Sequence, residues 1–511
     1  MGQTTIVLML ITILSKILGF VRESVMAAYI GAGELKSIYT TATTIPTMLT
    51  GVVATGIVSG YIPIYNRINN DKGHDEASKF TSNLINILMI YGAIIFLLVF
   101  IFAKSINLVL SPDLDGDNLR ISVNYTRIII ISIFALLYAS VTRGYLNIKG
   151  NFIDPAISGI ILNIFIITAT ILSAIFSNPY ILIIGALLAF IFQFIRFPFA
   201  AKKLGFVYNN EINFNNYYIK QLMGIVIPII ISTAADQISI IVDNSMASAF
   251  FGVSSISKIF YAKTMLNFIM SVVTLSVTTV TFPDIASAGQ KGDIINLRKM
   301  TSSAIIFAML LVVPFTLGMM MLSQPIISLA FERSAFSGSD TVIVASLLVC
   351  YAPFIIFSSL IKLISNAFYS LGDSKTPLVV ILIQQLLNLI LNYFLAKKIG
   401  LNGLAISTSI STIIGSILLL LAFYKKIGKP RNNAATKSLI EILLLSVTIS
   451  YIAKMLFDYM TIAYNSTISL FVSVLVAGVI YLVGIYLFKI PEFINLINSY
   501  IERRNNRNNY D

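Results

Sequence analysis

Fourteen apolar segments, each long enough to cross a lipid bilayer, occupy most of this chain. They run roughly over 4–30, 36–65, 81–103, 121–147, 153–176, 179–200, 217–250, 255–285, 300–322, 340–369, 376–396, 401–424, 438–457 and 463–489. A spanning helix needs about 20 predominantly apolar residues, so the segments predict an all-α polytopic membrane protein with 14 transmembrane helices. Composition closes the argument. Of 511 residues, 57% are apolar and 11% charged, against about 25% charged in soluble domains. That supply is too small to cover a globular surface, and disorder, a collagen-like rod and a disulfide scaffold are excluded by the same figures.

The formal charge of +13 follows the positive-inside rule better than nucleic-acid binding. With Met1 in the cytoplasm, most loop cations fall inside, among them Arg67, Lys72, Arg143, Lys149, Lys425 and Lys426. Lys36, Lys104, Arg120 and Lys397 are among the fewer assigned outside, where the acidic loop with Asp113, Asp115 and Asp117 also lies. Both termini are therefore expected in the cytoplasm. The first segment has no basic leader and continues past Ser15, so it reads as a span and not a cleaved signal. The lone Cys350 reads as core packing and the lone His74 as a solvated loop residue.

The chain repeats weakly. Gly31 and Gly252 follow the first and seventh segments, Pro63 and Pro283 end the second and eighth, and Pro155 and Pro377 open the fifth and eleventh, at a near-constant offset. The repeat predicts two pseudo-symmetric six-helix lobes, 1–205 and 206–425, of the same topology. Two helices follow over 426–489, and a basic cytoplasmic tail over 490–511.

Charges inside spans mark the candidate site, because one at mid-bilayer costs about 2.5–3.5 kcal/mol to insert. They are Lys16, Arg22 and Glu23 in the first span, Asp236 and Asp243 in the seventh, Lys263 in the eighth, Lys362 in the tenth and Lys454 in the thirteenth. Lys16 and Glu23 are seven apart and share a face; Arg22 points elsewhere, and Gly19 between them permits a bend. The cations read either as an internal pair with snorkelling ends or as a wall for an anionic substrate. Asp236 and Asp243, with Asn388, Asn392 and Thr408, read as oxygen ligands for Na⁺, as proton carriers, or as interhelical hydrogen bonds. No enzyme constellation is present: no His-bearing triad, nucleotide loop or Cys/His metal pattern.

Ser15-Lys16-Ile17-Leu18-Gly19-Phe20-Val21-Arg22-Glu23, followed by Ile30-Gly31-Ala32-Gly33, resembles the opening of the MurJ (MviN) lipid II flippases. Gly144-Tyr145-Leu146-Asn147 before Pro155, Val242-Asp243, and Phe368-Tyr369-Ser370-Leu371-Gly372-Asp373-Ser374-Lys375-Thr376-Pro377 resemble later motifs of that family. The resemblance implies the multidrug/oligosaccharidyl-lipid/polysaccharide exporter (MATE-like) fold, with the last two helices forming a groove for a polyprenyl tail. It implies a non-enzymatic flippase for lipid II in the bacterial plasma membrane. Carried over residue by residue, the resemblance makes Lys16 and Arg22 head-group cations and Asp243, Asn388, Asn392 and Thr408 a sodium site; the charges themselves add Lys263 and Lys362 as head-group cations, Glu23 with Gly19 as a gating and charge-pair element, and Asp236 to the site for Na⁺ or H⁺. No other cofactor and no nucleic acid is expected; the partners are the lipid-linked saccharide, the bilayer and the cell-wall synthesis machinery, with the protein a monomer. Two departures stand out: a family arginine in the eighth span falls at Thr264, beside Lys263, and an acidic residue early in the second is Ser37. The alternatives are a flippase for another polyprenyl-diphosphate saccharide and a cation-coupled drug exporter.

Overall fold

The computed structural model describes residues 2–429 and 434–488, with 490, 491, 493 and 494; the side chains of Pro228, Asp236, Pro283 and some neighbours lie outside that description. Most of the expected 490–511 tail also lies outside it. The chain forms two compact units, Met1–Phe260 with Phe331–Ser337, and Tyr261–Ala330 with Gly338–Asp511.

Unit 1 holds α1 (Gly2–Ile30), α2 (Glu34–Lys72), α3 (His74–Ile101), α4 (Ala103–Leu110), α5 (Gly116–Ile129) and α6 (Ile133–Ile148). It continues with α7 (Ile153–Ile175), α8 (Pro179–Phe192), α9 (Arg196–Lys203), α10 (Tyr217–Phe251) and the start of α11 (Ser254–Gln290). Unit 2 holds the rest of α11, then α12 (Ile294–Met321), α13 (Ser323–Phe331, whose last residue returns to unit 1), α14 (Gly338–Ser370), α15 (Lys375–Ile399), α16 (Leu401–Ile427), α17 (Ala434–Met460) and α18 (Ser466–Leu487).

Every expected apolar segment falls on this helical framework. Ten helical stretches among the described residues are long and apolar enough to cross a membrane, or eleven when α2 counts as one bent span. The remaining expected spans coincide with α1, α10 and α11. At 39 residues, α2 extends about 58 Å at 1.5 Å per residue, well beyond a hydrocarbon core of about 30 Å. Pro63 does not end it, for the helix continues to Lys72; a proline costs a helix one hydrogen bond and a kink, which packed neighbours absorb.

Similar local devices stand at several of these glycines and prolines. Gly31 and Gly252 follow α1 and α10 with φ of +79° and +82°, a backbone region that only glycine enters freely. Pro155 and Pro377 occupy the third position of α7 and α15, where a helix has no amide hydrogen bond to lose. An aspartate at the start of each of these helices, Asp154 in the first turn of α7 and Asp373 just before α15, clasps a cation from a later helix. Asp154 Oδ1 lies 2.5 Å from Arg196 Nε on α9, and Asp373 Oδ2 lies 2.5 Å from Lys426 Nζ on α16. Thr376 adds a backbone amide and a hydroxyl to Asp373, and Lys426 holds its carboxyl down at about 2.

The division between units falls after Phe260, within α11, whereas the sequence repeat divides the chain at 205. Close packing carries α10 into unit 1. A Cβ on Gly56 would come 2.8 Å from Val226 Cγ1, and one on Gly60 2.7 Å from Leu222 Cδ1, so α2 and α10 approach through glycines. The linker before α10 is stitched to a buried polar face of α3. Asn83 exchanges two hydrogen bonds with Asn213, at 3.0 and 2.8 Å. Asn86 donates to the carbonyls of Asn209 and Glu211 and accepts from the Tyr208 hydroxyl. His74 belongs to the same end of the unit. It opens α3 half-buried, with Nδ1 3.3 Å from Tyr65 Oη and Nε2 donating to the Gly205 carbonyl at 2.9 Å. It is a tie between segments and not the solvated loop residue the sequence implied.

In unit 2 the last two helices attach through α12. α17 packs on α12, and the Tyr481 hydroxyl of α18 donates to the Leu310 carbonyl at 2.8 Å.

Candidate functional site

Helix α1 continues unbroken through Gly19 and carries Lys16, Arg22 and Glu23. Its partner on one side is α7, brought close by glycines. A Cβ on Gly159 would come 2.3 Å from Ser15 Oγ, and one on Gly19 would sit 3.6 Å from Asn163 Nδ2. Gly19 thus faces a packed neighbour and is not the site of a break.

The glycine turn after α1 reverses the chain, and the first turn of α2 then sends Lys36 back toward Glu23. Lys36 Nζ sits 2.8 Å from Glu23 Oε2 and 3.2 Å from Met26 Sδ, with the Phe260 ring centroid 4.5 Å away. The other carboxylate oxygen, Oε1, accepts from Arg22 Nη2 at 2.6 Å and Nε at 3.0 Å. The remaining arm of the guanidinium, Nη1, donates to Asn163 Oδ1 at 3.1 Å, and Asn163 Nδ2 donates to the Ser15 carbonyl at 3.1 Å. Side-chain exposure is 0% for Lys36, 4% for Glu23 and 23% for Arg22. Burial makes each charged hydrogen bond strong and each lost partner costly.

This geometry revises three expectations. Lys36, assigned from sequence to an outer loop, is buried as an ion-pair partner. Glu23 pairs with Arg22 and Lys36, while Lys16, two turns away, is exposed and forms no ion pair among the described residues. Arg22 does not point away from Glu23, since its long side chain folds back along the helix to reach the adjacent carboxylate. Ser37, standing where the family has an acid, is buried and accepts from the Ser257 amide at 3.0 Å. Asn163 and Lys36 were not singled out from sequence as site residues. The signal for Lys36 was its place just after a Gly-Ala-Gly turn, where a side chain folds back toward the preceding helix.

The other candidates are distributed over the two units. Asp243 on α10, in unit 1, is 3% exposed. Asp236 lies outside the described side chains. Unit 2 holds Lys263, half-buried on α11 with Nζ 5.3 Å from the Tyr351 ring centroid, and Lys362, exposed on α14. It also gathers Asn388, Asn392 and Thr408 into one polar ladder between α15 and α16. Asn388 Nδ2 donates to Thr408 Oγ1 at 3.2 Å, Asn392 Nδ2 donates to Asn388 Oδ1 at 3.3 Å, and Ser407 Oγ donates to Asn392 Oδ1. Gln384 and Thr412 extend it at 3.2 Å. Lys454 pairs with Asp458 on the surface of α17 at 2.5 Å. No cluster of metal-ligating side chains occurs among the described residues.

The long apolar helices of the described residues make this an integral membrane protein with the fold of the multidrug/oligosaccharidyl-lipid/polysaccharide exporters. An inward-facing MATE-family multidrug transporter of that superfamily has the same fold at a TM-score of 0.68 and 15% identity, over 83% of this chain and 96% of the other. Within that class the chain belongs to the lipid II flippase MurJ family, whose model matches residues 26–483. A solved structure described as lipid II flippase MurJ, inward closed conformation, matches with a TM-score of 0.82 and 24% identity, covering 96% of this chain and all of that one. Probable lipid II flippases MurJ of Buchnera aphidicola subsp. Acyrthosiphon pisum and Rickettsia prowazekii are each 27% identical, over 93% and 95% of this chain and 94% and 96% of theirs.

Proposed function

We propose that this chain moves lipid II, the undecaprenyl-diphosphate-linked peptidoglycan precursor, from the inner to the outer leaflet of the bacterial plasma membrane by alternating access. Membership of the MurJ family supports the substrate, and the observation that carries the mechanism is Arg22, a cation inside the first helix, held between Glu23 and Asn163 and still partly open.

The physical problem is the head group. Bare charge in hydrocarbon costs tens of kcal/mol in the idealised limit, so a pyrophosphate needs a polar route lined with cations while its tail stays in lipid. Head-group cations are assigned to Arg22 and Lys16 in unit 1 and to Lys263 and Lys362 in unit 2. The two helices α17 and α18 cradle the polyprenyl tail. Outward movement of negative charge is favoured by about 2.3 kcal/mol per charge per 100 mV in an inside-negative cell. Return of Na⁺ or H⁺ resets the protein, with Asp243 and Asp236 in unit 1 and the Asn388–Asn392–Thr408 ladder in unit 2 as the coupling residues. No covalent bond is made or broken. The protein acts as a monomer with both termini in the cytoplasm, beside the machinery that consumes lipid II.

The test is rescue of a strain depleted of its own lipid II flippase. The wild-type chain restores growth, and Arg22→Ala, at equal membrane abundance, does not. Rescue by Arg22→Ala would remove Arg22 from the mechanism. A well-expressed wild-type chain that failed to rescue would redirect the assignment to another polyprenyl-diphosphate saccharide.

A further inference from the structure

Lys36 is wholly buried and presents no surface to a ligand, so its effect on substrate must pass through its neighbours. Glu23 and Arg22 alone would form a neutral pair, with two guanidinium nitrogens on one carboxylate oxygen. Lys36 occupies the second oxygen at 2.8 Å. The three side chains together carry one net positive charge, and of the three Arg22 is the most open. In a site of low dielectric the pull on an anion follows that net charge.

We propose that Lys36 is the counter-cation that keeps Arg22 available to the pyrophosphate: by compensating Glu23 it leaves the cluster at one positive charge instead of zero. Lys36 is thus a positioning residue for substrate. The inference rests on the reading of Arg22 as a head-group cation.

The experiment measures lipid II binding to purified, detergent-solubilised protein, with thermal melting as the check on folding. In Lys36→Met the carboxylate is left to cancel Arg22, and binding weakens about tenfold, the worth of one charge-assisted hydrogen bond. In the double variant Lys36→Met/Glu23→Gln the net charge returns to one positive, no buried charge is orphaned, and binding recovers most of that loss. A role confined to packing predicts that Lys36→Met, once folded, binds like the wild type. That result overturns the proposal, and so does a folded double variant that binds about tenfold more weakly than the wild type. Should Lys36→Met fail to fold, the double variant decides alone; a double variant that itself cannot fold makes the pair a structural staple and also overturns the proposal. Arg22→Ala separates the two levels. Wild-type binding by Arg22→Ala sinks the head-group reading, whereas lost binding there without recovery in the double variant sinks only the role of Lys36.

Discussion

Asn163 Oδ1 accepts a hydrogen bond from Arg22 Nη1 at 3.1 Å while the same amide's nitrogen donates to the Ser15 carbonyl at 3.1 Å. One side chain on α7 thus aims the guanidinium and fastens the helix that carries it. Asn163→Ala removes the aim and keeps the charge. We expect flipping of lipid II in proteoliposomes to fall by about tenfold, the scale of one charge-assisted hydrogen bond, with membrane abundance unchanged. Unaltered flipping would show that Glu23 alone orients Arg22.

The contact of α7 with α8 makes a packing prediction. A Cβ on Gly185 would stand 2.1 Å from the Cβ of Ala169, and neither atom can rotate away. Gly185→Ala should destabilise by about 1–3 kcal/mol, the usual cost of overpacking, seen as a lower melting temperature in detergent. Adding Ala169→Gly should return most of the loss. A single variant as stable as wild type would mean that the helices separate at little cost.

Asp373 makes a pH prediction. Lys426, with the Thr376 amide, lowers its folded-state carboxyl from 3.8 to about 2. A carboxyl that is lower in the folded state contributes stability above its unfolded value, and the contribution is lost as pH falls through the folded one. Asp373→Asn should therefore melt below the wild type at pH 7, and the two melting curves should converge between about pH 4 and pH 2. A difference that persists unchanged at pH 2 would place the effect in the hydrogen bonds to Thr376, not in the charge.

The cation reading of Asp243 predicts ligand-linked stability. Exchanging K⁺ for Na⁺ should raise the melting temperature of the wild-type chain, because an ion that binds only the folded protein stabilises it. Asp243→Asn should abolish the increment. A wild-type chain indifferent to Na⁺ would leave H⁺ as the returning ion.

The architecture was legible because its cause is one-dimensional. Hydrocarbon demands about 20 consecutive apolar residues per crossing, and that demand is written along the chain; so are the turn glycines and prolines, whose backbone requirements are local. The same logic brought Asn388, Asn392 and Thr408 together, since α15 and α16 are consecutive helices whose polar residues must find each other.

The pairing of charges was not legible, because it depends on which helices touch. The sequence by itself determined that α1 carries Lys16, Arg22 and Glu23, and periodicity paired the first with the last. Only the tertiary structure decided that Glu23 takes Arg22 and Lys36, that Asn163 from a helix 141 residues away holds the guanidinium, and that Lys16 stays exposed. The physical reason is that a buried carboxylate must be met on both oxygens. The nearest donors in space came from a neighbouring residue and from the first turn of α2, delivered by a glycine reversal and by close packing that no periodicity along one helix encodes.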